Sequence, residues 1–280
     1  MKNTPYLIAL FMIMTFSESC SKDDNDVIPT KEKTIPLEFT SLTASKIHSF
    51  VDEPILLTIE GSGFSEVSVV SGEADPSKVI ISKIDTKHYK ISALETLRPT
   101  IVHVSLDGEL KSIDLNFYEH GVKNFNTVEG IQIGIDKKNI IEALLGEPEA
   151  IVASTSTSGD YEYWYYFTKG FYLFMDNSTE FPVFARVYGD FIWARTINDS
   201  VVFGSPYNYE IGNSWVLSGP SRILMNDVVD KYGPRDGESI APSSSSKRYD
   251  YDSIKTYFYF FSDDIDNYKD KRVEYISVYR

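Results

Sequence analysis

The chain has 280 residues, and its 41 Asp and Glu against 27 Lys and Arg give a formal net charge of −14 at pH 7. This acidic balance excludes nucleic acid as a partner, because phosphates need clustered basic side chains, and it disfavours broad adsorption to anionic lipid. Cysteine occurs once, which excludes a disulfide within the chain, so the stability of the fold must come from packed cores.

Residues 1–19 have the features of a signal peptide. Lys2 makes the start positive, and the apolar run at residues 6–16, YLIALFMIMTF, is too short to span a bilayer comfortably. The run leads into Ser-Glu-Ser and the sole cysteine, Cys20. This arrangement resembles a bacterial lipoprotein signal, which implies cleavage before Cys20 and a membrane anchor of acyl chains on that residue. The alternative is an ordinary secretory signal with a cysteine close to the cut.

Residues 20–34 are polar and charged, and they predict a flexible tether. The acidic cluster Asp23, Asp24 and Asp26 resembles the export signal that sends some Gram-negative lipoproteins to the cell surface, although a solvated linker would have the same composition. We therefore expect a lipid-anchored protein of the outer membrane, on its periplasmic or its cell-surface face.

Residues 35–121 predict an all-β sandwich, because short apolar runs alternate with turn residues at close spacing. The stretch LLTIEGSGF at residues 56–64 resembles the strand-and-glycine signature of IPT/TIG immunoglobulin-like (Ig-like) domains. Such modules most often act as spacers or adhesive units, and the fold alone assigns neither role. The predicted strands are at residues 55–59, 67–70, 79–84, 101–106 and 113–117.

The remainder of the chain predicts an internal duplication of an α+β unit, with copies at residues 122–189 and 215–280 and a connector at residues 190–214. Each copy begins with an amphipathic helix, GIDKKNIIEALLGEP or SRILMNDVVDKYGP, that ends at a glycine followed by a proline. The predicted N-caps are Asp136 and Ser221. Three strands follow each helix. We therefore expect a mixed fold, in which the Ig-like sandwich precedes two helices packed on three-stranded antiparallel sheets.

The two copies also match in spacing, since Trp164 lies 18 residues after Gly146 and Tyr251 lies 18 residues after Gly233. The first copy resembles the SmpA/OmlA/BamE-like lipoprotein module, in which helices lead into a three-stranded antiparallel sheet. Two such modules in tandem also resemble the architecture of β-lactamase inhibitor proteins, which implies binding of a protein target through an aromatic sheet face. The residues of the module pattern are Gly134, Ile141, Leu145, Gly146, Pro148, Trp164, Tyr166 and Phe174.

The segment YEYWYYF at residues 161–167 has six aromatic side chains in seven positions. Alternate side chains of a strand point to opposite faces, and the module resemblance places Trp164 and Tyr166 against the helix, so the other rings face outward. Two interpretations stay open: another segment of the chain covers this face, or the face is a recognition surface for a partner. The candidate partner-binding residues are Tyr161, Tyr163, Tyr165 and Phe167.

The sequence lacks the motifs of catalytic and metal sites. The run SDDIDNYKD at residues 262–270 lacks the glycine and the glutamate of a calcium loop, and the histidines match no metal or triad motif. We therefore expect no catalytic residue, no metal and no cofactor. The predicted function is non-enzymatic binding of another envelope protein, as a scaffold or an inhibitor. The alternatives are a surface glycan-binding lipoprotein and, less favoured, a hydrolase whose site only tertiary contacts assemble. The histidines are His48, His88, His103 and His120.

Overall fold

The computed structural model describes residues 36–280, except residues 65, 107, 156–158, 191–192, 213–214 and 241–244. The predicted signal peptide, Cys20 and the tether lie outside the described residues. Residues Pro36–Arg280 form one compact unit. None of the helices in this part of the chain is both long and apolar enough to cross a membrane.

The first eight strands form two four-stranded sheets that share one apolar core. Each sheet turns one face to this core, as the third strand shows. In that strand Ile55, Leu57 and Ile59 are fully buried, whereas Leu56 and Glu60 are exposed. The strands are β1 (Glu38–Ala44), β2 (His48–Phe50), β3 (Ile55–Ser62), β4 (Val67–Ser71), β5 (Val79–Lys83), β6 (His88–Ala93), β7 (Leu97–Leu106) and β8 (Glu109–Tyr118). Their order is β1-β3-β6-β5 in one sheet and β2-β8-β7-β4 in the other.

The rest of the chain forms one eight-stranded antiparallel sheet with two short helices beside it. In chain order the elements are β9 (Thr127–Val128), β10 (Ile131–Gln132), α1 (Lys138–Leu145), β11 (Ala150–Ala153), β12 (Tyr161–Tyr166), β13 (Phe171–Asp176), β14 (Phe181–Tyr188), β15 (Ala194–Ile197), β16 (Ser200–Phe203), α2 (Met225–Tyr232), β17 (Gly237–Ile240), β18 (Ser246–Tyr251), β19 (Thr256–Phe261) and β20 (Tyr275–Tyr279). The order in the large sheet is β11-β12-β13-β14-β20-β19-β18-β17. The pairs β9–β10 and β15–β16 form separate two-stranded ladders.

The predicted mixed fold, with helices packed on two three-stranded sheets, is wrong. The fold is mostly β, and the described residues contain two α-helices of eight residues each. Strand β14 pairs with β20 from Phe184 opposite Tyr279 to Tyr188 opposite Tyr275, so strands of both predicted copies form one continuous sheet. The physical reason is that each half would otherwise end in a strand with unpaired backbone groups, and pairing the two strands satisfies both.

Two short helices cannot cover eight strands, and irregular segments cover the rest of the inner face. Trp164, Tyr166, Tyr249 and Tyr251 point into this inner core, where they are 1% to 2% exposed. The inward orientation predicted for Trp164 and Tyr166 is therefore confirmed. Apolar side chains from the irregular segments complete the core, and they include Phe125, Ile211, Leu217, Ile223, Ile265 and Val273.

One hydrogen bond occurs in both halves of the large sheet. Gly146 and Gly233 end the two helices with φ angles of 80° and 81°, which favour glycine. The hydroxyl of Tyr166 donates to the carbonyl of Gly146 at 3.3 Å, and the hydroxyl of Tyr251 donates to that of Gly233 at 3.2 Å. Tyr166 is thus the counterpart of Tyr251, and the correspondence predicted for Trp164 is wrong by two positions.

The helices begin later than predicted. Helix α1 begins at Lys138, and Asp136 does not cap it. Asp136 is buried, and its carboxylate pairs with the guanidinium of Arg98 in β7. Helix α2 begins at Met225, four residues after the predicted cap Ser221. The carboxylate that fits the pattern of a helix cap instead joins the segment before α1 to the first pair of sheets.

Candidate functional site

The outer face of the eight-stranded sheet carries aromatic side chains on five neighbouring strands. The register places them there: Tyr165 lies opposite Tyr172, Tyr172 opposite Arg186, and Arg186 opposite Ser277. Because directly opposed residues of an antiparallel pair point to the same side, these side chains share one surface. We call it the aromatic face, and its rings are Tyr161, Tyr163, Tyr165, Tyr172, Phe174, Phe184, Tyr188, Tyr257, Tyr259, Tyr275 and Tyr279.

Trp193 and the β15–β16 hairpin cover one half of the aromatic face. The ring of Trp193 stacks on Tyr188 at 4.4 Å and on Phe167 at 5.0 Å between centroids. Tyr165 is 4% exposed and Phe167 is 3% exposed. The prediction that these two residues bind a partner is corrected, because the connector between the predicted copies lies over them. Of the two open interpretations, cover by the same chain holds for Tyr165 and Phe167.

The other two predicted partner-binding residues lie at the margin of the covered half. Tyr161 and Tyr163 are half-buried. Their rings contact Phe174, at 5.1 Å for Tyr161 and 4.8 Å for Tyr163 between centroids. Both rings therefore pack within the chain and keep only part of their surface accessible.

The second half of the aromatic face is open and contains a cleft of about 490 Å³. Two pairs of tyrosine rings stack beside it, Tyr257 with Tyr279 at 4.4 Å and Tyr259 with Tyr275 at 4.2 Å. A volume of this size suits a small ligand, since such pockets typically measure roughly 300 to 1,000 Å³. We call it the Arg186 cleft, and the residues that line it include Phe184, Arg186, Arg248, Tyr257, Tyr259 and Tyr279.

Arg186 lies at the centre of the sheet, on β14. Its Nε donates to the hydroxyl of Ser277 at 2.9 Å, and a terminal nitrogen donates to the hydroxyl of Tyr259 at 3.3 Å. The guanidinium carbon also lies 5.1 Å from the ring centroid of Tyr259 and 5.2 Å from that of Tyr275. Burial raises the pKa of Tyr275, so its phenol stays neutral. Arg186 is therefore a cation held by rings and hydroxyls.

Arg248 is the second guanidinium of the cleft, and it has an ionic partner. Its Nε and a terminal nitrogen donate to the two carboxylate oxygens of Asp250 at 2.6 and 2.9 Å. Its guanidinium carbon lies 4.3 Å from the ring centroid of Tyr257. The bidentate pair fixes the guanidinium against the ring and balances its charge. Arg248 therefore forms part of the wall of the cleft, and its charge is balanced by Asp250.

A separate cluster of ionisable groups surrounds His120. The imidazole is stacked between Phe50 at 3.7 Å and Tyr209 at 4.4 Å. Its Nδ1 lies 2.6 Å from a carboxylate oxygen of Glu129, and its Nε2 lies 3.4 Å from a carboxylate oxygen of Asp52. Both ring nitrogens therefore face carboxylates, an arrangement that favours the doubly protonated ring.

The His120 cluster is a structural ion pair. Burial alone would lower the pKa of His120, but the hydrogen bond to Glu129 and the nearby carboxylates outweigh it, and the pKa is raised. Glu129 is buried, and it also accepts from the N–H of Gly121 at 3.1 Å and from the hydroxyl of Tyr207. The ring stack and the carboxylate contacts of His120 join β2 to the segments around it. The part of the chain that the structure describes has no group of three or more His, Cys, Asp or Glu that could hold a metal ion.

The sequence interpretation missed most residues of the Arg186 cleft. Its candidate partner-binding residues all came from the segment at residues 161–167, which lies outside the cleft. The signal was present in TYFYFF, because Tyr257 and Tyr259 alternate with the buried Phe258 and Phe260. The role of Arg186 required knowledge of which strands pair at the centre of the sheet.

No family model matches the chain, and no curated protein matches it. A solved structure of a structural genomics protein of unknown function from Bacteroides thetaiotaomicron is similar, with 11% sequence identity and a TM-score of 0.22. The match covers 82% of this chain and 47% of that protein, so the chain spans about half of that protein's length. The function of the chain therefore has to be inferred from its own residues.

Proposed function

We propose that the chain is a lipid-anchored envelope protein that binds a saccharide in the Arg186 cleft and carries out no reaction on it. The observation that carries the proposal is the open cleft of about 490 Å³ among stacked tyrosine rings. The C–H faces of a sugar pack on flat aromatic surfaces, and hydroxyls and guanidinium groups at their edges bond to sugar oxygens. Both kinds of group line this cleft.

Burial of the predicted tyrosine patch favours a small ligand over a protein partner. A stable protein interface takes about 800 Å² from each partner, which needs a broad accessible surface. Trp193 and the hairpin lie over Tyr165 and Phe167, so the broad patch is interrupted. Besides the partly accessible rings of Tyr161 and Tyr163, the open part of this face is a cleft, which suits a ligand of a few sugar rings.

The polar groups of the cleft support binding without hydrolysis. Glycoside hydrolysis uses a pair of carboxyl groups on either side of the scissile bond. The polar side chains that line the Arg186 cleft are guanidinium and hydroxyl groups, and the carboxylate nearest to Arg248 is engaged in a bidentate ion pair. Such groups hold a saccharide but do not supply a general acid and a nucleophile.

A glycan array probed with the full chain tests this function. We expect binding to a defined subset of glycans, and we expect Tyr257→Ala to abolish it, because that ring is half-buried at the cleft and its loss need not disturb the core. Tyr163→Ala is the matched control, since Tyr163 is a half-buried ring of the same face outside the cleft. Absence of any bound glycan, or equal loss in both variants, would contradict the proposal. Retention of an envelope protein by wild type but not by Tyr163→Ala would support a protein partner instead.

The anchoring part of the proposal has its own test. Acyl chains on Cys20 would hold the protein on a membrane surface. We expect the wild-type chain in the membrane fraction of a Gram-negative host, and Cys20→Ser in the soluble fraction of the envelope. Equal partition of the two forms would exclude a lipid anchor at this residue.

A further inference from the structure

Arg186 lacks an ionic partner among the described residues. Arg248, in the same cleft, is bound by both carboxylate oxygens of Asp250. The hydrogen-bond partners of Arg186 are the hydroxyls of Ser277 and Tyr259. The chain has a net charge of −14, so its carboxylates outnumber its basic side chains, and yet this cation has no carboxylate partner in the described part of the chain. An external anion that reaches it gains a full ionic contact without displacing a carboxylate of the protein.

The surroundings of Arg186 strengthen such a contact. Four rings lie around its guanidinium carbon, with centroids 5.1 to 5.8 Å away. Rings stabilise the cation through their electron-rich faces but also exclude water, so an opposite charge is attracted more strongly than at an open surface. The hydrogen bonds to Ser277 and Tyr259 engage two of the five N–H groups of the guanidinium, so donors remain for a ligand.

Resting on the proposed function, we propose that the saccharide carries a carboxylate and that Arg186 binds this carboxylate. The ligand class is hexuronic-acid oligosaccharides. A carboxylate is planar and accepts two parallel hydrogen bonds from a guanidinium, so the two groups match in geometry as well as in charge. The rings of Tyr257 and Tyr279 then pack on the sugar that bears the acid.

Ser277 and Tyr259 orient Arg186 and extend the set of donors. Each hydroxyl accepts a hydrogen bond from the guanidinium, at 2.9 Å for Ser277 and 3.3 Å for Tyr259. Each therefore keeps its own O–H as a donor toward an anion beside Arg186. Asp250 balances the charge of Arg248, which leaves Arg186 as the guanidinium on the central strand for the carboxylate. Arg280 also lines the cleft.

Calorimetric titration of the full chain, held in detergent, tests the inference with three probes of equal length. They are a trimer of galacturonic acid, its fully methyl-esterified form, and a trisaccharide that has no carboxylate and carries one sulfate. We expect the acid to bind about 10- to 100-fold more tightly than the ester, as for one strong charge-assisted contact. Arg186→Gln should reduce the affinity for the acid to that for the ester. Arg235→Gln is the control, because Arg235 lies over the ring of Tyr249 at 4.6 Å, away from the cleft.

The outcomes separate this inference from the proposed function. If the wild type binds the acid and the ester with equal affinity, and Tyr257→Ala binds neither, the proposed saccharide binding is supported and the role of the carboxylate is overturned. Equal affinity of the sulfated and the acidic probe overturns the choice of a carboxylate. Failure of all three probes, together with an empty glycan array, overturns the proposed function itself. An unchanged thermal midpoint in Arg186→Gln shows that a loss of affinity is not a loss of fold.

Discussion

Trp193→Ala should open the hairpin that covers half of the aromatic face. The indole is 1% exposed, stacks on Tyr188 and Phe167, and donates from Nε1 to the carbonyl of Ser205 at 3.2 Å. Its cluster is separate from the large inner core, so the loss should appear as local opening and not as unfolding of the sheet. Truncation of a buried tryptophan to alanine costs about 3 to 5 kcal/mol.

Hydrogen exchange measured by mass spectrometry checks this magnitude. A cost of about 3 kcal/mol or more lowers the protection of the hairpin amides about a hundredfold, since each 1.4 kcal/mol is a factor of ten. We expect this drop in residues 194–203 and unchanged exchange in β3. Phe203→Ala is the matched control, because Phe203 is on the same hairpin but is 65% exposed.

Gly204→Ala provides an independent test of the same contact. A Cβ atom at Gly204 would lie 1.8 Å from Cε2 of Trp193, so the indole must move. This variant should open the hairpin without removing any aromatic side chain. Unchanged protection of residues 194–203 in Trp193→Ala and Gly204→Ala would refute the claim that Trp193 holds the hairpin on the sheet.

Three further predictions concern polar contacts inside the fold. The pKa of His120 is raised in the folded protein, so the protonated ring stabilises the fold fully below the unfolded pKa of about 6.5. This contribution is lost as pH rises through the higher folded pKa. The free energy of unfolding measured in urea should therefore fall over that range, and it should fall less in His120→Gln. Asp136→Ala should cost about 3 kcal/mol in the same assay, because Arg98 loses its buried partner. Tyr166→Phe and Tyr251→Phe should each cost about 1 kcal/mol, the value of one hydrogen bond.

Each of these predictions has a control in the chain. His103→Gln is the matched control, because His103 lies on β7 and its ring forms a hydrogen bond with the hydroxyl of Ser112. A pH dependence of the unfolding free energy that survives in His120→Gln would contradict the assignment. Lys46→Ala removes an exposed ion pair with Glu53 and should cost less than about 1 kcal/mol, so a loss equal to that of Asp136→Ala would be contrary evidence. Unequal losses for the two tyrosine variants would show that the two bonds are not equivalent.

Local patterns in the sequence predicted which side chains of strand β12 point into the inner core. Alternation together with the module resemblance predicted that Trp164 and Tyr166 point inward, and each is 2% exposed or less. Cover by another segment of the chain was one of the two open interpretations for the outward rings, and Trp193 with the hairpin has that role for Tyr165 and Phe167. The buried role of Asp136 could not be seen, because its partner Arg98 is 38 positions away on another sheet.

The joining of the two halves could not be predicted from either half alone. Residues 186 and 277 are 91 positions apart, and only the β14–β20 pairing places Arg186 beside Ser277. That same pairing creates the cleft, since β14 supplies Phe184 and Arg186 while β18, β19 and β20 supply Arg248 and the tyrosines. Neither half of the sheet contains a complete site. We therefore expect any change that separates β14 from β20 to remove the proposed ligand binding together with the central hydrogen bonds of the sheet. Changes at the outer strands β11 and β17 can instead weaken the fold and leave the cleft assembled.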